Sequence, residues 1–190
     1  METYKLAMEK RIPGKKEVKA TRNSGYLPIE IYGKTLETNI SASVIHKDMV
    51  KALHTPMGRN VVFELDIEGT KVIAIPCDIQ IDPVKNRIRH IDFKSVSPDE
   101  DVDVIVPIFR SGRSLGEVAG GKVFQVLNEV KVRCKPANIP ANITIDITNM
   151  EIGDRLKVST IPYPDGVKPV FVQDTPVIVL NKGRGQDEAK

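Results

Sequence analysis

Runs in which apolar and polar residues alternate one for one recur along most of this chain. A two-residue period is the repeat of a strand with one face against a core. The clearest runs are NVVFELDI (60–67), VDVIVPI (102–108), EVKVRC (129–134), NITIDIT (142–148) and TPVIVL (175–180). Only SVIHKDMVKALH shows a helical period: Ile45, Met49, Val50 and Leu53 fall on one face, and Ser43 stands where an N-cap belongs. Gly69, in DIEGTK, offers a turn between two strand-like runs and predicts a hairpin. The fold class expected is all-β or β-rich, with short helices.

A chain of 190 residues makes one large domain or two small ones. Aromatics are only 5% and Trp is absent, so Val, Ile and Leu must fill the core, and these suit pleated surfaces. A proline and four acidic residues interrupt the strand pattern in SVSPDEDVD, Ser95 to Asp103. The chain therefore divides near residue 95, into domains 1–95 and 96–180, and the polar NKGRGQDEAK, 181–190, reads as a flexible tail. Cys77 and Cys134 form no close pair, which suggests two reduced thiols in a cytoplasmic protein. No stretch approaches the roughly 20 apolar residues that span a bilayer, so no membrane partner is expected.

Candidate chemistry is thin. Gly116 to Val123, GEVAGGKV, fits the spacing of a phosphate-binding loop but puts Val123 where Ser or Thr should ligate magnesium. The alternating residues that follow do not supply the helix such a loop needs, and a glycine-rich loop joining two strands is the simpler reading. His46 and His54 are eight apart with no metal-ligand spacing. Neither cysteine sits in a nucleophile elbow. No enzymatic activity, cofactor or small-molecule substrate is expected.

Two polar features remain. In RIRHIDF, Arg87 to Phe93, alternation puts His90 and Asp92 on one face and Ile91 and Phe93 on the other, leaving a polar pair outside a core. Arg89 falls on the apolar side by parity and must lie at the rim. The second feature is basic. Residues 1–95 hold 16 Lys/Arg against 12 Asp/Glu (+4), and the remainder 12 against 13 (−1), in a chain of net charge +3. The excess lies in the arm KRIPGKKEVKATRNSGYLPIEIYG, where Lys10, Arg11, Lys15, Lys16, Lys19 and Arg22 recur every three or four residues. Pro13 and Gly14 limit the arm to a loop or short helix. Such spacing can track phosphates, and Tyr26 and Tyr32 offer stacking surfaces.

Four blocks in order, RNSGYLPIEIYG (22–33), DIQIDPVKNRIRHIDF (78–93), VPIFRSGRSLGEVAGG (106–121) and IPANITIDITNMEIGDRLKV (139–158), carry a resemblance across nearly the whole chain. The chain resembles the bacterial large-subunit ribosomal proteins that bind 5S ribosomal RNA, in the longer two-domain form called general stress protein Ctc. The resemblance implies an N-terminal six-stranded β-barrel with short helices that grips the RNA, followed by a second β-rich domain. It implies phosphate contacts from Lys10, Lys15, Lys19 and Arg22, an RNA-contacting Tyr32, and Gln80, His90 and Asp92 presented to the RNA minor groove. It implies 5S ribosomal RNA and neighbouring large-subunit components as partners, and a place on the cytoplasmic ribosome. The chain departs from the pattern at Cys77, where a longer polar side chain is common, and at Glu30, which adds a negative charge near the proposed surface. The rival class is a β-rich, stress-associated protein-interaction module without direct RNA binding.

Overall fold

The computed structural model describes residues 3–55 and 57–182. The tail expected at 181–190 therefore lies outside the described residues from 183 onward. The chain forms two compact units: one comprises the residues up to Val102 with Lys135–Ala141, the other Asp103–Cys134 with the residues from Asn142 onward.

The first unit is a closed barrel of six strands in the order β1-β3-β2-β6-β5-β4, as the resemblance implied. Its strands are β1 (Thr3–Lys10), β2 (Tyr26–Tyr32), β3 (Ile40–Ile45), β4 (Val62–Ile67), β5 (Thr70–Asp82) and β6 (Arg87–Ser95). Closure removes the open edges that would otherwise offer unpaired backbone groups to other chains. Two parallel pairings, β1 with β4 and β2 with β6, join segments distant in sequence, and antiparallel pairs complete the ring. Alternation fills the interior: Leu6 and Met8, Ile29 and Ile31, Ala42 and Val44, Phe63 and Leu65, Val72 and Ala74, Ile91 and Phe93 are all buried. Phe63 and Phe93 meet edge to face with centroids 5.3 Å apart, a favoured aromatic geometry.

The DIEGTK hairpin joins β4 to β5. Glu68 and Gly69 both take positive φ, 51° and 89°, as a two-residue turn with matching twist requires, and Asp66 Oδ1 accepts the Gly69 N–H at 2.9 Å. Helix α1 spans Lys15–Asn23 and α2 spans His46–Leu53. Helix α2 is shorter than its sequence pattern, because Ser43 does not cap it. Ser43 is buried in β3, paired with Pro28 and Glu9, and Ile45 takes the capping position. The ladder to β2 outweighs the local capping preference of a serine. Met49 and Ala52 are the residues that α2 buries.

The second unit carries two sheets. One runs β10-β7-β9-β12, from Ile143–Asp146, Val102–Ser111, Glu129–Cys134 and Lys168–Pro169; the other runs β11-β13-β8, from Arg155–Lys157, Pro176–Asn181 and Lys122–Gln125. Alternation again sets its core, with Val130, Val132 and Cys134 buried from EVKVRC. The near-phosphate-loop segment holds a four-residue helix, α3 (Leu115–Val118), closed by a capping box between Ser114 and Glu117. Its glycines are there for packing: a Cβ on Gly121 would sit 2.8 Å from both the Gly116 carbonyl and Leu180, and one on Gly116 would sit 2.6 Å from Leu180. Among the described residues no helix is long and apolar enough to cross a membrane.

Two outcomes test this account. Gly33 has φ +147°, and a Cβ there would come within 2.8 Å of the Ser95 carbonyl and closer still to its hydroxyl, so Gly33→Ala should cost more than about 2 kcal/mol in a denaturant melt. In the second unit, Arg133 and Lys131 hold the Asp103 carboxyl down at about 2, below its ordinary 3.8. A depressed folded-state value stabilises above the unfolded value and is lost on acidification. Asp103→Asn should therefore lower stability by less than about 1 kcal/mol above pH 4, the pairs being half-exposed, and the difference from wild type should vanish near pH 2.

Candidate nucleic-acid interface

Strand β6 lies between β2 and β5, and the three present one outward face. Its middle row is Glu30, Asp92 and Asp78, each directly beside the next across the sheet. One step along β6, His90 stands opposite Gln80; one step the other way, Lys94 stands beside Tyr32. Tyr32, Gln80, His90 and Asp92 thus share one surface, while Ile91 and Phe93 are buried behind them.

His90 Nδ1 lies 2.7 Å from Asp92 Oδ1. An ionised carboxylate only accepts, so Nδ1 must carry the hydrogen and Asp92 fixes the ring. In the neutral imidazole, Nε2 is then an acceptor, and the remaining carboxylate lone pairs accept as well. Burial first, then Cys77, Asp92 and Asp78, push the Tyr32 phenol above its ordinary value. Tyr32 therefore offers a neutral hydroxyl that both donates and accepts.

Three carboxylates abreast on neighbouring strands repel one another. Glu30 is relieved by Arg11, whose Nη2 donates to Oε1 at 2.5 Å, and by Ser41 Oγ, which donates to Oε1 and Oε2 at 2.9 and 3.0 Å. The charge that the sequence adds at Glu30 is thus matched locally. Asp92 has His90, and Asp78 has the Gln80 amide only at 3.5 Å.

Two β-bulges bracket this row. On β5 the register skips Cys77 between Pro76 and Asp78. On β6 it skips Arg89: Gln80 pairs with His90 and Ile81 with Ile88. A bulge re-aims the side chain of the extra residue. Arg89, inward by parity, is half-exposed instead, with Nη1 3.4 Å from Asp82 Oδ2. Its carbonyl accepts Arg22 Nε at 3.1 Å and ties α1 to β6. Burial, then the charges of Arg89 and Arg11, lower the Arg22 value, so Arg22 sits in a field of like charge.

Helix α1 buries no residue. At 100° per residue Lys15, Lys19 and Arg22 fall within a stripe about 60° wide, and both lysines are exposed. A nine-residue helix with no buried side chain gains little from packing, and its exposed cations suit a partner outside the chain. Lys10 stands apart. It ends β1, three strands from β6 in either direction round the barrel, and its Nζ is 3.6 Å from Glu68 Oε2. Lys94 and Arg89 are the residues that sequence reading missed on this face. The alternation through His90 and Asp92 continues to Lys94 and was signal enough; nothing local marks the bulge at Arg89. Among the described residues no group of three or more His, Cys, Asp or Glu could hold a metal, and Cys77 is exposed while Cys134 is buried.

The sequence matches the Ribosomal L25p family over residues 6–93 and the C-terminal domain of ribosomal protein TL5 over residues 101–184. Relatives named large ribosomal subunit protein bL25 include that of Caldanaerobacter subterraneus subsp. tengcongensis, 37% identical over 190 residues, covering 99% of this chain and 95% of that protein. That of Thermoanaerobacter sp. is 35% identical over 188 residues, covering 99% of this chain and 93% of that protein. That of Sorangium cellulosum is 33% identical over 195 residues, covering all of this chain and 85% of that protein. With both halves matched in order and relatives alike along nearly the whole length, this chain belongs to the bL25 family of large-subunit ribosomal proteins, in its two-domain form, and is a structural rather than an enzymatic component.

Proposed function

We propose that this protein binds 5S ribosomal RNA in the central protuberance of the large subunit, on the cytoplasmic ribosome, through its first domain, residues 1–95. The observation that carries the reading is the join between two surfaces: the basic stripe of α1 is bonded through Arg22 to the strand that presents His90 and Asp92. Lys15, Lys19 and Arg22 dock on phosphates. Tyr32, Gln80, His90 and Asp92 read a minor groove, which in A-form RNA is wide, shallow and lined with base edges and 2′-hydroxyls. A carboxylate row facing bare phosphates would be repelled, whereas exocyclic amines and 2′-hydroxyls donate to it. Lys10, already paired with Glu68, adds to the general field and to a peripheral phosphate contact.

The second domain carries no basic excess in sequence, and we assign it to contacts with neighbouring large-subunit components. Membership of a ribosomal family speaks against a module that leaves RNA alone.

Filter binding to 5S ribosomal RNA across a salt series should give a log–log slope at least as steep as about −3 to −4, the share of the three to four phosphates held by α1 and Lys10; a slope near zero would defeat the reading. Arg22→Ala should weaken binding to any structured RNA and flatten that slope by about one. Asp92→Ala should leave the slope alone and cost roughly 1.5–3 kcal/mol of preference for 5S over unrelated RNA, the scale of a hydrogen bond to a charged group. Equal losses on both RNAs would contradict the role given to Asp92.

A further inference from the structure

The order of charges along β6 says how the strand lies on its RNA, given the reading above, on which this inference rests. Arg89 is at one end, the row Glu30, Asp92 and Asp78 crosses the middle, and Lys94 is at the other end. Lys94 lies five positions beyond Arg89, at most roughly 16 Å at about 3.3 Å per residue. A minor groove in cross-section has the same order: a phosphate backbone, then base edges and 2′-hydroxyls, then the other backbone. A strand laid along the groove would bring its carboxylate row, which spans three neighbouring strands, against a backbone.

Both cations are placed to take a phosphate. The bulge aims Arg89 outward beside Arg22, where like charges crowd and an anion would relieve them. Among the described residues its carboxylate partner is Asp82, whose Oδ2 stands 3.4 Å from Nη1 while Oδ1 accepts the Val84 and Lys85 N–H groups, which leaves the rest of the guanidinium fork to donate outward. Lys94 makes no ion pair among the described residues, and the nearby Glu100 is taken by Lys34 at 2.6 Å.

We propose that Arg89 and Lys94 are two further RNA contacts that hold phosphates on opposite strands, so that β6 crosses a minor groove with His90 and Asp92 over the base edges. The bulge at Arg89 is then a functional device: without it, a side chain at this position would turn toward the core and the clamp would have one pole.

The test uses the full chain and transcribed 5S ribosomal RNA. Arg89→Ala and Lys94→Ala, both at exposed or half-exposed positions, should each flatten the salt slope by about 0.9, and the double variant by about 1.8, with preference for 5S over unrelated RNA unchanged. In phosphate-ethylation interference, Arg89→Ala should relieve sensitivity on one strand of a helical segment and Lys94→Ala on the strand across its minor groove. Variants that keep the wild-type slope, or that lose contacts on the same strand, overturn the crossing while the RNA-binding reading stands. Wild-type protein with no salt-dependent binding to 5S ribosomal RNA overturns both.

Discussion

Strand β6 is held between β2 and β5, and this pairing positions everything else in the first unit. Its parallel register with β2 sets Ile29 against Ile91 and Ile31 against Phe93, which places two strands' apolar residues in the core. The same register sets Glu30 beside Asp92 and Tyr32 beside Lys94 on the outside. One set of backbone hydrogen bonds thus closes the barrel and assembles the polar face. A slip by one residue would exchange the two sets of side chains, so stability fixes the geometry of the surface as firmly as that of the interior.

That surface carries costs that the fold alone does not require. Three carboxylates stand abreast, Arg22 and Arg89 meet at the junction of α1 and β6, and α1 buries nothing. Features of this kind persist where a partner stabilises them, and a polyanion with donor groups between its phosphates complements each one. Arg11 does the internal work: its side chain, only 8% exposed, neutralises Glu30 and also donates from Nε to the Ala42 carbonyl at 3.2 Å, leaving Arg22 and Arg89 outward.

Alternation made most of this legible. It marked β4, β6, β7, β9, β10 and β13, the face of His90 and Asp92, and the burial of Ile91 and Phe93, because a two-residue period translates directly into sidedness. It failed where local pattern and ladder disagreed. Ser43 looks like a helix cap, but three residues of β3 before it and two after it pair with β2 and keep it in the strand. Arg89 belongs by parity to the core side, and only the register of its partner strand reveals the bulge. Lys10 reads as part of a basic arm, yet β1 carries it to the β4–β5 turn and Glu68. Each case depends on a partner strand, information that no window along one segment contains.

The central claim, that the outward face of β6 with α1 is the RNA surface, is tested most directly by lysine-reactivity footprinting. The full chain would be acetylated with and without 5S ribosomal RNA and the modified positions mapped by mass spectrometry. The account predicts protection of Lys15, Lys19 and Lys94, with Lys71 on β5 and Lys131 and Lys168 in the second unit as reactive as in free protein. Protection confined to the second unit, with Lys15, Lys19 and Lys94 unchanged, would contradict it.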